Sequence, residues 1–352
     1  MSDVQPATAS RSPYLELRDL KVSFATEDGL VRAADGVSFS LERGKTLAIV
    51  GESGSGKSVT SQAIMGLHPK RSAQITGEVL VDGTDIVSAS EETVRSMRGR
   101  NMAMIFQDPL SSLHPFYTVG AQLIEAVQAH GEVSKSEARQ RAIAMLDRVG
   151  IPNAARRVEE YPHQFSGGMR QRVMIAMALI NNPDLVIADE PTTALDVTVQ
   201  AQILDVLRDL QGEFQMAILL ITHDLGVVAE TADDVVVMYG GRVVERGPVN
   251  EIFTRPRMPY TWGLMSSVPN LTDPRGTRLT PIPGQPPSLI NLPTGCVFRP
   301  RCQFSAHVED AWCDTKRPDL EPVGPRHDAR CFLSVSQMAA LAPRRADGEE
   351  VA

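Results

Sequence analysis

Cysteine is absent from the first 295 residues of this 352-residue chain, and no apolar run approaches the roughly 18 residues that a membrane-crossing helix needs. The net charge is −8, so the surface offers no general electrostatic grip on nucleic acid. Residues 1–12 are polar and contain no apolar core of the kind that marks a secretory leader. The reading from these absences is a soluble cytosolic protein whose membrane role would come through partners. Hydrophobic residues make up 42% of the chain, ample for a packed core.

The chain does contain Gly51-Glu-Ser53-Gly54-Ser55-Gly56-Lys57-Ser58, a G-x-x-x-x-G-K-S segment. Residues 46–50 are apolar and strand-like, and 58–67 read as a helix. Strand, glycine loop and helix together form the context in which this spacing cradles phosphate. Backbone N–H groups and the positive helix end face the anion. Lys57 would reach the β- and γ-phosphates, the Ser58 hydroxyl would ligate Mg²⁺, and Val59 completes the loop's exit. A second apolar run, Leu185-Val-Ile-Ala, ends in Asp189-Glu190. There Asp189 is placed to hold Mg²⁺ through water, and Glu190 to orient or deprotonate an attacking water.

Elsewhere the pattern alternates. Residues 14–50 suggest short antiparallel strands, and 77–83 an edge strand and turn. Residues 90–160 are mostly helical, most clearly at 134–149. The uniformly apolar runs 185–188 and 217–221 suit a parallel sheet covered on both faces. A hairpin is predicted across Tyr239-Gly240-Gly241. Prolines then recur and periodicity fades, which places a boundary near residue 262. The predicted organisation is a disordered N-terminus (1–12), an ATPase domain (13–262) with a helical subdomain at about 90–165, a C-terminal extension that holds the four cysteines (263–335) and a flexible tail (336–352). The fold class is α/β: a mixed sheet core with an antiparallel β subdomain and a helical subdomain.

Further segments resemble those of ATP-binding-cassette ATPases, in order over about 14–262. Phe165-Ser166-Gly167-Gly168-Met169 resembles the signature motif. Gln107, after an apolar strand at 102–106, resembles the Q-loop glutamine. Ala194-Leu195-Asp196 resembles the D-loop, His223 the switch histidine, and Phe24 the aromatic that stacks on adenine. The resemblance implies two cassettes closing head to tail around two ATPs, with Ser166, Gly167, Gly168 and Met169 acting in trans. It also implies that Gln107 senses Mg²⁺ and water, and that His223 bonds the γ-phosphate. The signature departs from the common leucine-serine-glycine-glycine-glutamine form at Phe165 and Met169, and methionine has no amide to offer. Residues 165–179, 107–115 and the pieces Pro259-Tyr260-Thr261, Gly295-Cys296 and Arg301-Cys302 are similar to the D-type ATPase of oligopeptide/dipeptide importers. That resemblance implies an F-type partner cassette (a homodimer being the alternative), two integral-membrane permease subunits, an extracytoplasmic binding protein, and a peripheral place on the cytoplasmic face of the membrane. Nickel or another small solute is the alternative cargo; a soluble cassette ATPase or a regulatory, non-hydrolysing cassette are the rival functions.

The four cysteines, Cys296, Cys302, Cys313 and Cys331, are spaced C-x5-C-x10-C-x17-C. The spacing lacks a close C-x-x-C pair and is neither a zinc ribbon nor a ferredoxin pattern. Disulfides are disfavoured in a reducing cytosol. Free thiols remain open, as does zinc with His307 or His327 replacing a thiol. The resemblance to the D-type extension implies a [4Fe–4S] cluster on the four thiolates.

Overall fold

The computed structural model describes residues 12–69, 71–193, 195–267 and 281–343. Among the described residues twelve strands form two sheets: β1 (Leu15–Thr26), β2 (Gly29–Leu41), β3 (Thr46–Val50), β4 (Ala73–Val81), β5 (Thr84–Asp85), β6 (Met102–Ile105), β7 (Leu185–Asp189), β8 (Ala217–Ile221), β9 (Asp234–Tyr239), β10 (Arg242–Pro248), β11 (Glu321–Gly324) and β12 (His327–Ala329). The smaller sheet is antiparallel, in order β2-β1-β4-β5. The larger has the order β11-β12-β10-β9-β3-β8-β7-β6, parallel from β9 to β6 and antiparallel from β9 outward to β11.

Every residue of β3, β7 and β8 is buried, as their unbroken apolar runs require of strands covered on both faces. The carboxyl ends of these strands lie together, and there the loops carrying Gly51, Glu190 and Thr222 emerge. The helices Val119–Gln128, Lys135–Arg148 and Gly167–Leu179 share one apolar core through Leu123, Leu146 and Ile175, none of them exposed. Lys135–Arg148, within the stretch 134–149 expected to be helical, starts where Ser134 accepts a hydrogen bond from the Glu137 N–H and so serves as its N-cap.

Several expectations need correction. Residues 14–50 contain two long strands of 12 and 13 residues before β3, not several short ones. Register shifts near Leu17–Lys21, with Asp19 at φ 47°, break the alternation and disguise one strand as two. β4 is not an edge strand, since it pairs with both β1 and the two-residue β5. The boundary near 262 falls inside the helix Pro259–Ser266, where Tyr260 and Trp262 are buried. Composition changes there, but packing does not. β12 beyond it pairs with β10 (Glu245 opposite Ala329), so the extension widens the main sheet.

The stretch read as a flexible tail begins with another helix, Val335–Leu341, capped by Ser334 and held by Met338 against Trp262 and Leu333. Residues 1–11, 268–280 and 344–352 lie outside the described residues.

Candidate nucleotide-binding site

Two glycines thread the loop after β3. A Cβ on Gly51 (φ 150°) would stand 2.2 Å from the Met238 carbonyl oxygen, and one on Gly56 (φ 103°) 2.3 Å from that of Ala33. Both left-handed conformations and both close approaches exclude a side chain. Gly54, by contrast, faces open space. Ser53 and Gly54 are exposed, whereas Ser55 is buried with its hydroxyl lacking a hydrogen-bond partner among the described residues. The helix that follows is Lys57–Ile64. It stops short of the predicted residue 67 because Gly66 takes a left-handed conformation just past its end. The buried Lys57 ammonium donates to the carbonyl oxygens of Gly51 (2.7 Å) and Glu52 (3.0 Å). Burial pushes its pKa down, against the pull of Glu190, Asp189 and Glu52. Val59 is half-buried against the core under the smaller sheet. A buried cation, an unpaired hydroxyl and an open glycine turn fit a polyphosphate ligand.

At the end of β7 the Ser58 hydroxyl donates to Asp189 Oδ1 (3.3 Å). Burial raises the Asp189 pKa, with Glu190 adding to the rise and Ser58 and Lys57 opposing it. A divalent cation here would offset that desolvation. Glu190 leaves the strand with φ 49°, its N–H donating to the Ile221 carbonyl at the end of β8 (2.8 Å). Its carboxylate collects three segments: Gln107 Nε2 donates at 2.9 Å, Thr193 Oγ1 at 2.8 Å, and His223 Nδ1 lies 3.4 Å away. Gln107 stands two residues past β6, which ends at Ile105 rather than at the exposed Phe106. Asp196 does not join this network; it caps the helix Val197–Phe214, accepting from the Val199 N–H (3.0 Å). Ala194 lies outside the described residues.

None of the hydrogen bonds of the signature segment among the described residues reaches the phosphate loop. Ser166 caps the helix Gly167–Leu179 by accepting from the Met169 N–H (3.3 Å), and Ser166 and Gly167 are exposed. Phe165 is buried and Met169 half-buried against the helical core, so the two departures from the common motif serve packing. A Cβ on Gly168 would press to 2.8 Å on Val199. Phe24, on β1, is half-buried and meets the His68 ring edge-on at 5.4 Å.

Sequence reasoning missed two tethers. Buried Gln171 donates to the Pro191 carbonyl, tying the signature helix to the segment after Glu190. Arg301 and Tyr260, from the C-terminal part, both bond Glu52 in the phosphate loop. The pieces Pro259-Tyr260-Thr261 and Arg301-Cys302 carried a family resemblance but no hint of this contact.

The family described as "ABC transporter" matches residues 34–193, and "Oligopeptide/dipeptide transporter, C-terminal region" matches 244–308. The oligopeptide transport ATP-binding protein OppD of Bacillus subtilis is 54% identical over 320 residues, 91% of this chain and 88% of that protein. The chain belongs to the ABC transporter ATPases. Within that family, the dipeptide transport ATP-binding protein DppD of B. subtilis is 51% identical over 91% of this chain and 94% of its own length. A putative peptide import ATP-binding protein of Brucella melitensis is 49% identical over 92% of this chain and 98% of its own. Among solved structures, the dimeric ABC transporter cassette MJ0796 superposes with a TM-score of 0.60 at 28% identity, covering 67% of this chain and 98% of that one. CbiO1 of Clostridium perfringens, part of the cbiONQ complex, gives 0.58 at 29% identity, covering 70% and 92%. Membership of this ABC ATPase family implies the use of ATP and Mg²⁺. Among the described residues no helix is long and apolar enough to cross a membrane.

The matched C-terminal region ends before Cys313 and Cys331. In the structure all four cysteines nevertheless line one cavity of about 10 Å³, walled by Met258, Phe298 and Phe332. That is room for about one water. Burial raises the thiol pKa values, of Cys313 to about 11 and of Cys331 to about 12, and the neighbouring thiols add to the rise. Among the described residues, however, no three His, Cys, Asp or Glu side chains form a set that could hold a metal ion. The expected [4Fe–4S] cluster therefore gains no support from this arrangement. Zinc with a histidine fares no better: His327 is buried with Nε2 2.7 Å from Glu245 Oε1, and His307 is exposed and does not line the cavity.

Proposed function

We propose that this chain is the ATP-hydrolysing subunit of a binding-protein-dependent importer of di- and oligopeptides, docked on permease subunits at the cytoplasmic face of the membrane. The observation that carries the catalytic part is the convergence of Gln107, Thr193 and His223 on the Glu190 carboxylate, beside the Lys57–Ser58–Asp189 set. In this reading the loop Gly51–Ser58 wraps the phosphates and Lys57 exchanges its carbonyl partners for phosphate oxygens. Glu190 accepts the proton of the attacking water, held in place by Gln107 and Thr193. His223 approaches the γ-phosphate. Ser58, Asp189 and Gln107 are the residues that would hold Mg²⁺, which when bound neutralises phosphate charge.

Phe24 would stack on the adenine. The exposed Ser166 and Gly167 are suited to act on ATP held by a second cassette, with Gly168 and Met169 behind them and Asp196 near the shared face. We favour an F-type paralogue as that second cassette. The cargo reading rests on relatives named for oligopeptide and dipeptide transport and on the matching C-terminal region. What supports a thiophilic group is the resemblance of the cysteine-bearing extension to the D-type ATPases and the soft donor chemistry of four thiols, not a formed metal site. Our reading is a structural [4Fe–4S] cluster on Cys296, Cys302, Cys313 and Cys331; zinc at one equivalent without sulfide, in anaerobically purified protein, would sink it.

The test of function is uptake of labelled di- and tripeptides, with nickel in parallel, by cells lacking this chain. Peptide uptake restored by the wild type and not by Glu190→Gln is the expected result. Unchanged peptide uptake, or a defect in nickel alone, overturns the cargo.

A further inference from the structure

Arg301 lies 249 positions from Glu52 in the chain, yet its guanidinium is almost wholly buried against the phosphate loop. Each of its five N–H donors has an acceptor. Nη1 donates to Glu52 Oε2 (2.5 Å) and to the Tyr239 hydroxyl (3.3 Å); Nη2 donates to Glu52 Oε1 (3.0 Å) and the Ile282 carbonyl (3.2 Å); Nε donates to the Pro283 carbonyl (2.8 Å). A two-pronged guanidinium–carboxylate pair fixes orientation as well as charge.

Glu52 is held from three sides. Its carboxylate takes Arg301, its N–H donates to the hydroxyl of fully buried Tyr260 (2.8 Å), and its carbonyl accepts from Lys57 (3.0 Å) and from the Ser55 N–H (3.2 Å). The Glu52 carboxylate also acts electrostatically on the Lys57 ammonium. Left unpaired, that carboxylate would compete for Lys57 and repel phosphate.

We propose that Arg301 is a positioning residue for the nucleotide site: the C-terminal extension neutralises and orients Glu52 through it, so ATP affinity depends on a residue outside the cassette motifs. The inference rests on ATP binding by the phosphate loop and not on the cargo, so it and the peptide reading fail in separate experiments. MgATP titration of the full chain, followed by steady-state ATPase assays, tests it. Arg301→Met is expected to weaken MgATP binding about tenfold, or about 1.4 kcal/mol, and to raise KM while kcat stays within about twofold. Adding Glu52→Gln to Arg301→Met should recover most of that loss, which a purely packing role for Arg301 would not allow. Wild-type affinity in Arg301→Met, or no recovery in the double variant, overturns the proposal. Should Arg301→Met not fold, Arg301→Lys carries the test. It keeps the charge but loses the fork and is expected to bind about threefold more weakly; wild-type affinity there overturns the proposal equally.

Discussion

The nucleotide cradle gathers segments between Gly51 and His223, whereas residues 258–333 line the cysteine cavity, and the two interiors differ as well. The cradle is polar and cross-linked: Lys57 to two carbonyls, Ser58 to Asp189, and Gln107, Thr193 and His223 to Glu190. The cavity is walled by Met258, Phe298 and Phe332, and its thiols are held neutral by burial. A site arranged for an anion shows its partners as hydrogen bonds made within the chain. A pocket of soft, uncharged donors shows nothing of its partner beyond the identity of the sulfurs.

The sharpest break of this contrast is Glu190→Gln, which should lower ATP turnover by about 10²–10⁴-fold while ATP still binds. Turnover within a few-fold of wild type would remove Glu190 from the catalytic role we propose. On the cavity side, Cys313 and Cys331 in reduced, metal-free protein at pH 8 should react with iodoacetamide at least about 100-fold more slowly than in urea-unfolded chain, because the thiolate is the nucleophile. Equal rates would mean that the cavity is open to water.

The same thiols set a pH window. Their pKa values are raised above 9.0 by folding, so their contribution to stability is whole below pH 9 and fades as pH climbs through about 11–12. Chemical denaturation of metal-free protein at pH 8 and pH 11 reads this as a lower midpoint at the higher pH; an unchanged midpoint would contradict it. Lys57→Ala should weaken ATP binding by roughly 10- to 100-fold, the range for a charge-assisted bond. Unaltered affinity would deny Lys57 its place in the cradle. The smallest effect belongs to the last helix, where Ser334→Ala should cost about 1 kcal/mol in chemical denaturation. No measurable cost would mean that the cap contributes nothing to holding Met338 against Trp262.

What could be read ahead of the structure follows from range. The glycine loop, the buried strand ending in Asp189-Glu190 and the helix over 134–149 are each local: a handful of neighbouring residues dictates the geometry. The hairpin at Tyr239-Gly240-Gly241 was legible for the same reason, and β9 pairs with β10 across it as the glycines require. The junction of β12 with β10 and the grip of Arg301 on Glu52 were not legible. Each depends on two segments meeting across 82 or more positions, and neither leaves a periodic trace. The boundary near 262 misled because proline enrichment marks loss of regular structure, not loss of packing. Tyr260 sits among Tyr239 and Phe298 with ring centroids 4.5 and 5.5 Å away.

The placement of β11 and β12 bears on how the chain avoids sticking to its own copies. Without them β10 would be the rim of the main sheet, a seven-residue strand with a free row of N–H and C=O groups. Such rims recruit strands from other molecules. The extension moves the rim outward to β11, four residues long with Pro322 within it, which is a poor template for addition. Trimming the chain at the apparent boundary would therefore do more than discard an appendage: it would lay bare an adhesive margin, and self-association would be the first symptom.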